Sequence, residues 1–149
     1  MSDMLIRKAD KADIQSIYGL VKELAIFEKE PDALTIGIIE YLEAFQEGLI
    51  DSIVAVNGKE IIGIALFYMT FSTWKGKCLY LEDFYIKPEY RREGLGQRLF
   101  DALLEEAKVR KATQVKWQVL DWNETGLNFY YKNNAIIEKN WWNGKLYLT

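Results

Sequence analysis

The chain has 149 residues and a formal net charge of −3, a length that suits one domain with its own core and a balance that argues against broad nucleic-acid binding, which calls for a basic face. Half of the residues are hydrophobic and 14% are aromatic, which excludes a disordered chain, and no apolar run approaches the ~20 residues of a membrane span. With one cysteine, Cys78, and no histidine, a disulfide framework within the chain, Ser-His-Asp and Cys-His machinery and the usual structural zinc sites are excluded, and no metal is expected.

Taken in chain order, Met4–Arg7 reads as a short strand, and the segment before it has no apolar leader, so a cytoplasmic location is expected. Asp10 or Asp13 is placed to cap a helix in which Ile14, Ile17, Tyr18, Val21, Leu24 and Ala25 recur at helical spacing. Pro31 lies in the connection beyond it. Thr35 precedes a second helical stretch carrying Ile38, Ile39, Leu42 and Phe45. Ile53–Val56 and Ile61–Met69 flank Asn57-Gly58, which predicts a hairpin with a type I′ turn. A connection around Ser72–Gly76 leads to a strand over Cys78–Ile86, stopped by Pro88. A helix follows Gly96, with Leu99, Ala102, Leu103 and Ala107 on one side. Gln114–Leu120 is the next strand and Asn123–Asn133 the next helix. Ala135–Trp141 and Lys145–Leu148 read as a terminal hairpin around Asn143-Gly144. No repeat or linker interrupts this order, so residues 1–149 are expected to form a single α/β domain, a mixed, mostly antiparallel sheet flanked by helices.

The most informative segment is YLEDFYIKPEYRREGLGQRLF, from Tyr80 to Phe100. An apolar strand with two acids runs through a proline stop into a basic, glycine-punctuated loop, and the loop opens onto an amphipathic helix. Gly94 and Gly96 let the backbone turn tightly and an anion come close. The first amides of the helix lack intrahelical partners and sit at the positive end of its dipole. Arg91 and Arg92 add forked donors suited to phosphate. The combination makes a pyrophosphate cradle. The dinucleotide pattern fails because Leu99 stands where a third glycine belongs, and the P-loop pattern fails because no Gly-Lys-Ser/Thr follows.

What remains, Arg91-Arg92-Glu93-Gly94-Leu95-Gly96, resembles the R/Q-x-x-G-x-G/A signature of the GCN5-related N-acetyltransferases (GNATs). YLEDFYIKPEYR, DWNETGLNFYYK and an early helix ending KELAIFE are similar to the spermidine/spermine and thialysine N-acetyltransferase branch, with a likeness over nearly the whole chain, densest from Trp74 to Lys132. The resemblance implies a GNAT fold, acetyl-CoA as acyl donor with coenzyme A as product, and a small-molecule amine as acceptor. It implies Tyr130 as general acid toward the departing thiolate, and Glu82 as the residue that binds the amine and removes its proton. It puts the cofactor's pantetheine arm along Phe84, Tyr85 and Ile86, its pyrophosphate on the loop from Arg91 and Arg92 through Glu93, Gly94, Leu95, Gly96 and Gln97, and its other side against Asn123, Glu124, Thr125 and Gly126. The acceptor pocket would include Phe27, Glu28, Glu82, Lys116, Trp117 and Gln118. Related enzymes are dimers, so a homodimer is expected, with one of Trp141 and Trp142 at the contact; no nucleic acid and no membrane are expected partners. Two positions depart from the branch: Ser72 replaces an acid of the polyamine enzymes, and Asn134 replaces a glycine.

The residue types suit the chemistry. An alkylammonium with a pKa near ~10 must lose a proton before it attacks, the developing oxyanion needs a donor such as a strand-end N–H, and the leaving thiolate needs a proton. Glu82, directly or through water, and Tyr130 serve the first and third needs; direct attack in a ternary complex needs no protein nucleophile. Each residue also has a packing alternative. Asp83 reads better as half of a structural ion pair, Tyr130 taken alone could be a packing residue, and Cys78 as a buried inert thiol. Glu23, Glu28, Glu30 and Asp32 read as a solvated face, from which Glu28 alone turns inward beside Glu82 to select a cationic amine. The acceptor is read as a polyamine, diamine or lysine-like compound, with protein amines and amino-sugars as other acceptors of the class. The alternative from another class is a non-catalytic acyl-CoA-binding module that regulates a partner.

Overall fold

The computed structural model describes residues 4–91 and 93–149. They fall into two compact units, one ending at Gln118 and the other spanning Val119–Thr149. In the first unit, strands β1 (Met4–Lys8), β2 (Asp51–Asn57), β3 (Glu60–Ser72), β4 (Gly76–Ile86) and β5 (Gln114–Trp117) form one sheet in that order. All neighbours are antiparallel except β4 and β5, which run parallel, so the sheet is mixed and mostly antiparallel as expected. Helices α1 (Ile14–Phe27), α2 (Ile38–Gln46) and α3 (Leu95–Val109) cover it. Ile14, Ile17, Leu20, Val21 and Leu24 of α1 bury one stripe with Tyr41 of α2 against Val54, Val56, Ile61, Ile64, Leu66 and Tyr85. The buried residues that alternate with these along the strands, Phe67 and Ile86 among them, meet α3 on the opposite face.

The β2–β3 turn differs from the expectation. Asn57 pairs with Glu60, so the two loop residues are Gly58 and Lys59. Positive φ occurs at Gly58 but not at Lys59, the pattern of a type II′ turn, in which glycine takes the first loop position.

The two candidate caps form one reciprocal box around the 3₁₀ turn Lys11–Asp13 that leads into α1, and neither side chain caps α1 itself. The Asp10 side chain accepts from Ala12 N at 2.9 Å, while Asp13 accepts from Asp10 N at 2.8 Å. Arg7 forks onto the two oxygens of Asp13 at 2.7 and 3.0 Å, which lets that carboxylate be 7% exposed. The Arg7 hydrogen bond holds the Asp13 carboxyl below the usual carboxylate range against its burial. The start of α2 is capped from within: Gly37 is its N-cap, and Glu40 Oε1 accepts from Gly37 N at 3.0 Å. At the other end of α1, Lys29 takes φ 63° and two back-bonds close the turn, Lys29 N to Ile26 O at 3.0 Å and Glu30 N to Ala25 O at 2.9 Å. The helix therefore stops at Phe27 and leaves Glu28 at its C-cap. The C-terminus of α3 is tied to the sheet by Arg110, which bonds Asp51 at 2.6 Å and Glu106 at 2.7 Å with its guanidinium 4.8 Å from the Phe67 ring centre.

The second unit contains α4 (Glu124–Lys132). Asn123 caps it, accepting from Gly126 N at 3.0 Å. A Cβ at Gly126 would lie 2.6 Å from Asn123 Nδ2, so the cap and the glycine belong together. The helix ends on Asn134 at φ 64°, with Asn134 N bonded to Tyr131 O and Ala135 N to Tyr130 O, each at 3.0 Å. Asn134 thus takes the left-handed conformation for which glycine is the usual choice. Residues 135–149 form no strand, so the expected terminal hairpin is not present. Ile136, Trp142 and Leu146 are 86–93% exposed; an Asn-Gly turn does not hold an isolated two-stranded hairpin whose apolar side chains have nothing to pack on.

Candidate active site

The site is built around an irregularity in β4. Leu66 of β3 pairs with Asp83, but the next residue, Phe67, pairs with Leu81, so Glu82 is an extra residue bulged out of the ladder. Simple alternation would send Glu82 and Asp83 to opposite faces. The bulge turns both toward the α1–α2 side. Tyr68 Oη donates to Glu82 Oε1 at 2.8 Å, Asp83 and Glu82 both act on the Tyr41 hydroxyl of α2, and Phe84 goes to the other face, its ring centre 5.8 Å from that of Phe100.

Glu28, at the end of α1, joins them. Burial and then the charge of Glu82 raise its carboxyl above the usual range. Burial, helped by Glu82 and Glu28, pushes the Asp83 carboxyl up to about 7. Among the described residues no lysine or arginine lies within ion-pairing distance of Asp83, so the structural ion pair expected for it does not form. Tyrosines line the same pocket. Tyr68 and Tyr80 stack with ring centres 5.4 Å apart, and Tyr41 meets Tyr18 edge-on at 4.9 Å. Burial raises Tyr41, Tyr68 and Tyr80, with Glu82 acting in the same direction on each, so all three present neutral hydroxyls. No group of three or more His, Cys, Asp or Glu among the described residues is arranged to hold a metal ion.

One edge of β4 is open beyond this point. Strand β5 pairs with Cys78–Leu81 only, so the backbone from Glu82 to Ile86 has β3 on one side and, among the described residues, no strand on the other. The Arg91 side chain closes the end of that stretch. Its Nε donates to Ile86 O at 2.7 Å, and its guanidinium lies 5.3 Å from the Phe27 ring centre and 5.1 Å from that of Tyr85. Gly94 then takes φ 72° as the N-cap of α3, a conformation that strongly favours glycine. Leu95, Gly96 and Gln97 make up the first turn of α3, whose amides precede the intrahelical bonds. Leu95 buries its side chain, so only its backbone faces outward. A Cβ at Gly96 would meet Ile86 Cδ1 at 3.6 Å, an ordinary packing contact on the sheet side. Gln97 Nε2 bonds Asp101 at 2.9 Å, Glu93 is exposed, and Arg92 lies outside the described residues.

The first unit thus brings together Phe27, Glu28, Glu82, the open strand Phe84–Ile86 and the glycine turn. Lys116 pairs in register with Tyr80 and faces the acid side, whereas Trp117 turns to the α3 face, 5.9 Å from Phe100; Gln118 is exposed at the end of this unit. Tyr130 and Asn123–Gly126 belong to the second unit. There Tyr130 is 7% exposed, with its ring 5.6 Å from that of Phe129, and Glu124, Thr125 and Gly126 form the first turn of α4 behind the Asn123 cap. Ser72 acts locally, closing the β3–β4 turn through its Oγ, which accepts from Trp74 N and Lys75 N at 3.2 and 3.0 Å. Asp83, Tyr68 and Tyr41 are the pocket residues that sequence reasoning missed. The adjacent acids in an apolar strand were the available signal, but their common direction depends on the bulge.

Residues 14–134 match the family model described as Acetyltransferase (GNAT) family. The thialysine N-epsilon-acetyltransferase of Bos taurus is 36% identical over 141 residues, covering 87% of this chain and 82% of that protein. The enzyme of the same name from Caenorhabditis elegans is 33% identical over 116 residues, covering 78% and 72%. Human spermidine/spermine N(1)-acetyltransferase-like protein 1 is 32% identical over 143 residues, covering 88% of this chain and 20% of that longer protein. Among solved structures, an aminoglycoside acetyltransferase from an uncultured soil metagenomic sample superposes with a TM-score of 0.83 at 15% identity, covering 99% of this chain and 98% of that one. A predicted acetyltransferase from Clostridium acetobutylicum with acetyl-CoA does so at 0.81 and 22% identity, covering 95% and 96%. With the family model spanning most of its length, the chain belongs to the GNAT family and is an acetyltransferase.

Proposed function

We propose that this acetyltransferase moves the acetyl group of acetyl-CoA to a primary amine of a small cationic acceptor, a polyamine, a diamine or a thialysine- or lysine-like compound, by direct attack in a ternary complex. The observation that carries the acceptor class is the convergence of Glu28, Glu82 and Asp83 on one face of β4, lined by Tyr41, Tyr68 and Tyr80. Carboxylates attract an alkylammonium and aromatic faces add cation–π attraction, whereas an anionic acceptor would be repelled. The names of the thialysine and spermidine/spermine relatives support the same class.

The residues present suit acetyl-CoA as donor. Beyond Leu81, β4 has no second strand beside it among the described residues, so its backbone at Phe84–Ile86 suits an amide-bearing arm, and the first turn of α3 behind Gly94 suits a pyrophosphate. When bound, the donor supplies an activated thioester carbonyl. Glu82 takes the proton of the amine, directly or through water, as its nitrogen bonds to the carbonyl carbon. A β4 backbone N–H steadies the oxyanion. Tyr130 gives its proton to the sulfur as the C–S bond breaks, so an amide and coenzyme A leave. The exposed Trp141 and Trp142 support a homodimer, which sedimentation would test.

The deciding experiment is thiol release from acetyl-CoA with spermidine, putrescine, thialysine, lysine and a basic peptide. Saturable release with one of the small amines supports the reading. Release with the peptide alone replaces it with a protein acceptor, and tight cofactor binding without release from any of them points to a binding module.

A further inference from the structure

We propose that Glu82 and Asp83 act as an unequal pair, in which Asp83 keeps a proton of its own while Glu82 accepts the proton of the incoming amine. This rests on the reading of Glu82 as the base and assigns Asp83 a role as a positioning residue, one that sets the charge beside the base and does not itself exchange protons with the acceptor.

The bulge puts neighbouring carboxylates on the same side of β4, where two adjacent charges are costly to ionise together. The surroundings are unequal in a definite sense. Glu82 is the more exposed residue and receives the Tyr68 hydroxyl hydrogen at 2.8 Å, a bond that favours a charged acceptor. Asp83 is more enclosed and has no such donor or cation within ion-pairing distance among the described residues. Every element around it adds neutral or negative groups except β5. Glu28 faces it from the end of α1, Tyr18 of α1 and Tyr41 of α2 lie behind, Tyr68 comes from β3, and Tyr80 and Glu82 from β4. Tyr85, next along that face, is bonded to Glu23. Lys116 of β5 stands beside Tyr80 and makes no ion pair with either carboxylate among the described residues. Burial with Glu82 and Glu28 pushes Asp83 up to about 7, in agreement with this placement.

The protons balance simply. Glu82 accepts one from the amine in each turnover and returns it to solvent from its exposed side, while the Asp83 proton stays in place. As pH rises past neutrality Asp83 ionises, the pocket gains a second full negative charge beside Glu82, and a cationic acceptor binds more tightly.

Two measurements test this. In protein labelled with 13C at the aspartate carboxyl, NMR titration should show one aspartate changing state near neutral pH. That signal should vanish in Asp83→Asn and in the second assignment variant Asp83→Ser, and titrate lower by about one pH unit in Glu82→Gln. If every aspartate titrates below about pH 5, the proposal is overturned. No acceptor is required, so this readout is independent of the acetyl-transfer reading. The second measurement is the ratio of kcat/KM between wild type and Asp83→Asn for a small cationic amine. It should be close to one at about pH 6 and rise about tenfold by about pH 8.5, since the asparagine mimics the protonated acid. A ratio below or above one that does not change with pH is what a merely structural residue would produce, and it would overturn the pair. Full turnover by Glu82→Gln would remove the base assignment instead, whatever the titration of Asp83 in the wild-type protein.

Discussion

Tyr68 Oη donates a 2.8 Å hydrogen bond to Glu82 Oε1, joining β3 to the one residue of β4 that the ladder leaves out. The bond orients a bulged carboxylate that no strand partner holds. Replacing Tyr68 with Phe should lower kcat/KM for the amine by about 3- to 10-fold, the range for a charge-assisted hydrogen bond partly replaced by water. Coenzyme A affinity should stay within about twofold. Steady-state kinetics and calorimetric titration together check this, and a loss confined to cofactor affinity would contradict the assignment of Glu82 to the amine side.

Tyr130→Phe keeps the ring packed against Phe129 and removes the phenolic hydroxyl with its acidic proton. Turnover should fall on the order of a hundredfold with coenzyme A affinity within about twofold. Unchanged turnover would remove Tyr130 from the reaction.

Two aspartates make opposite contributions to stability as pH changes. Asp13 is lowered by Arg7, so its contribution is present above the unfolded carboxylate value and is lost as pH falls through the folded one. Asp83 is raised to about 7, so its protonated form contributes stability that is full below the unfolded value and lost as pH rises through about 7. Wild-type stability should therefore decline between about pH 4 and pH 7 and level off above that, and Asp83→Asn should remove most of that decline, on the order of 3 kcal/mol at the upper end. Urea midpoints across this range provide the measurement.

Gly126→Ala should destabilise the start of α4 by about 1–2 kcal/mol, because its Cβ would collide with the Asn123 amide that caps the helix. Asn123→Ala alone should cost about 1 kcal/mol. The double variant should cost less than the sum, since the collision disappears with the cap. Denaturant unfolding of the three variants tests the coupling.

Lys111 closes α3 in the left-handed region at φ 62°, with Ala112 N bonded back to Ala107 O at 2.9 Å. Glycine has no Cβ penalty there, so Lys111→Gly should stabilise the protein by about 0.5–1 kcal/mol and raise Tm by a few degrees. No change, or a fall, would show that the lysine side chain supplies a compensating contact.

The apolar spacing of Ile14, Ile17, Val21 and Leu24, the alternation along β2 and β3 and the glycines before α3 were sufficient for the helices, the central hairpin and the glycine turn that opens α3. These are local consequences of backbone period and steric freedom, and the first unit has them where the residues alone indicated. The glycine motif, with Glu82 and Tyr130, pointed to an acetyltransferase family before any packing was known. Only the tertiary structure decided that Asp83 shares a face with Glu82, because the bulge arises from the register between β3 and β4, which alternation within β4 does not encode. It likewise decided that the Arg91 guanidinium lies beside the rings of Phe27 and Tyr85, the first of them far away in the chain. The strands expected beyond Ala135 had a local turn signal only, and a strand is stable when another strand or a packed face receives it. Sequence determined which groups are available, and long-range pairing decided which of them meet.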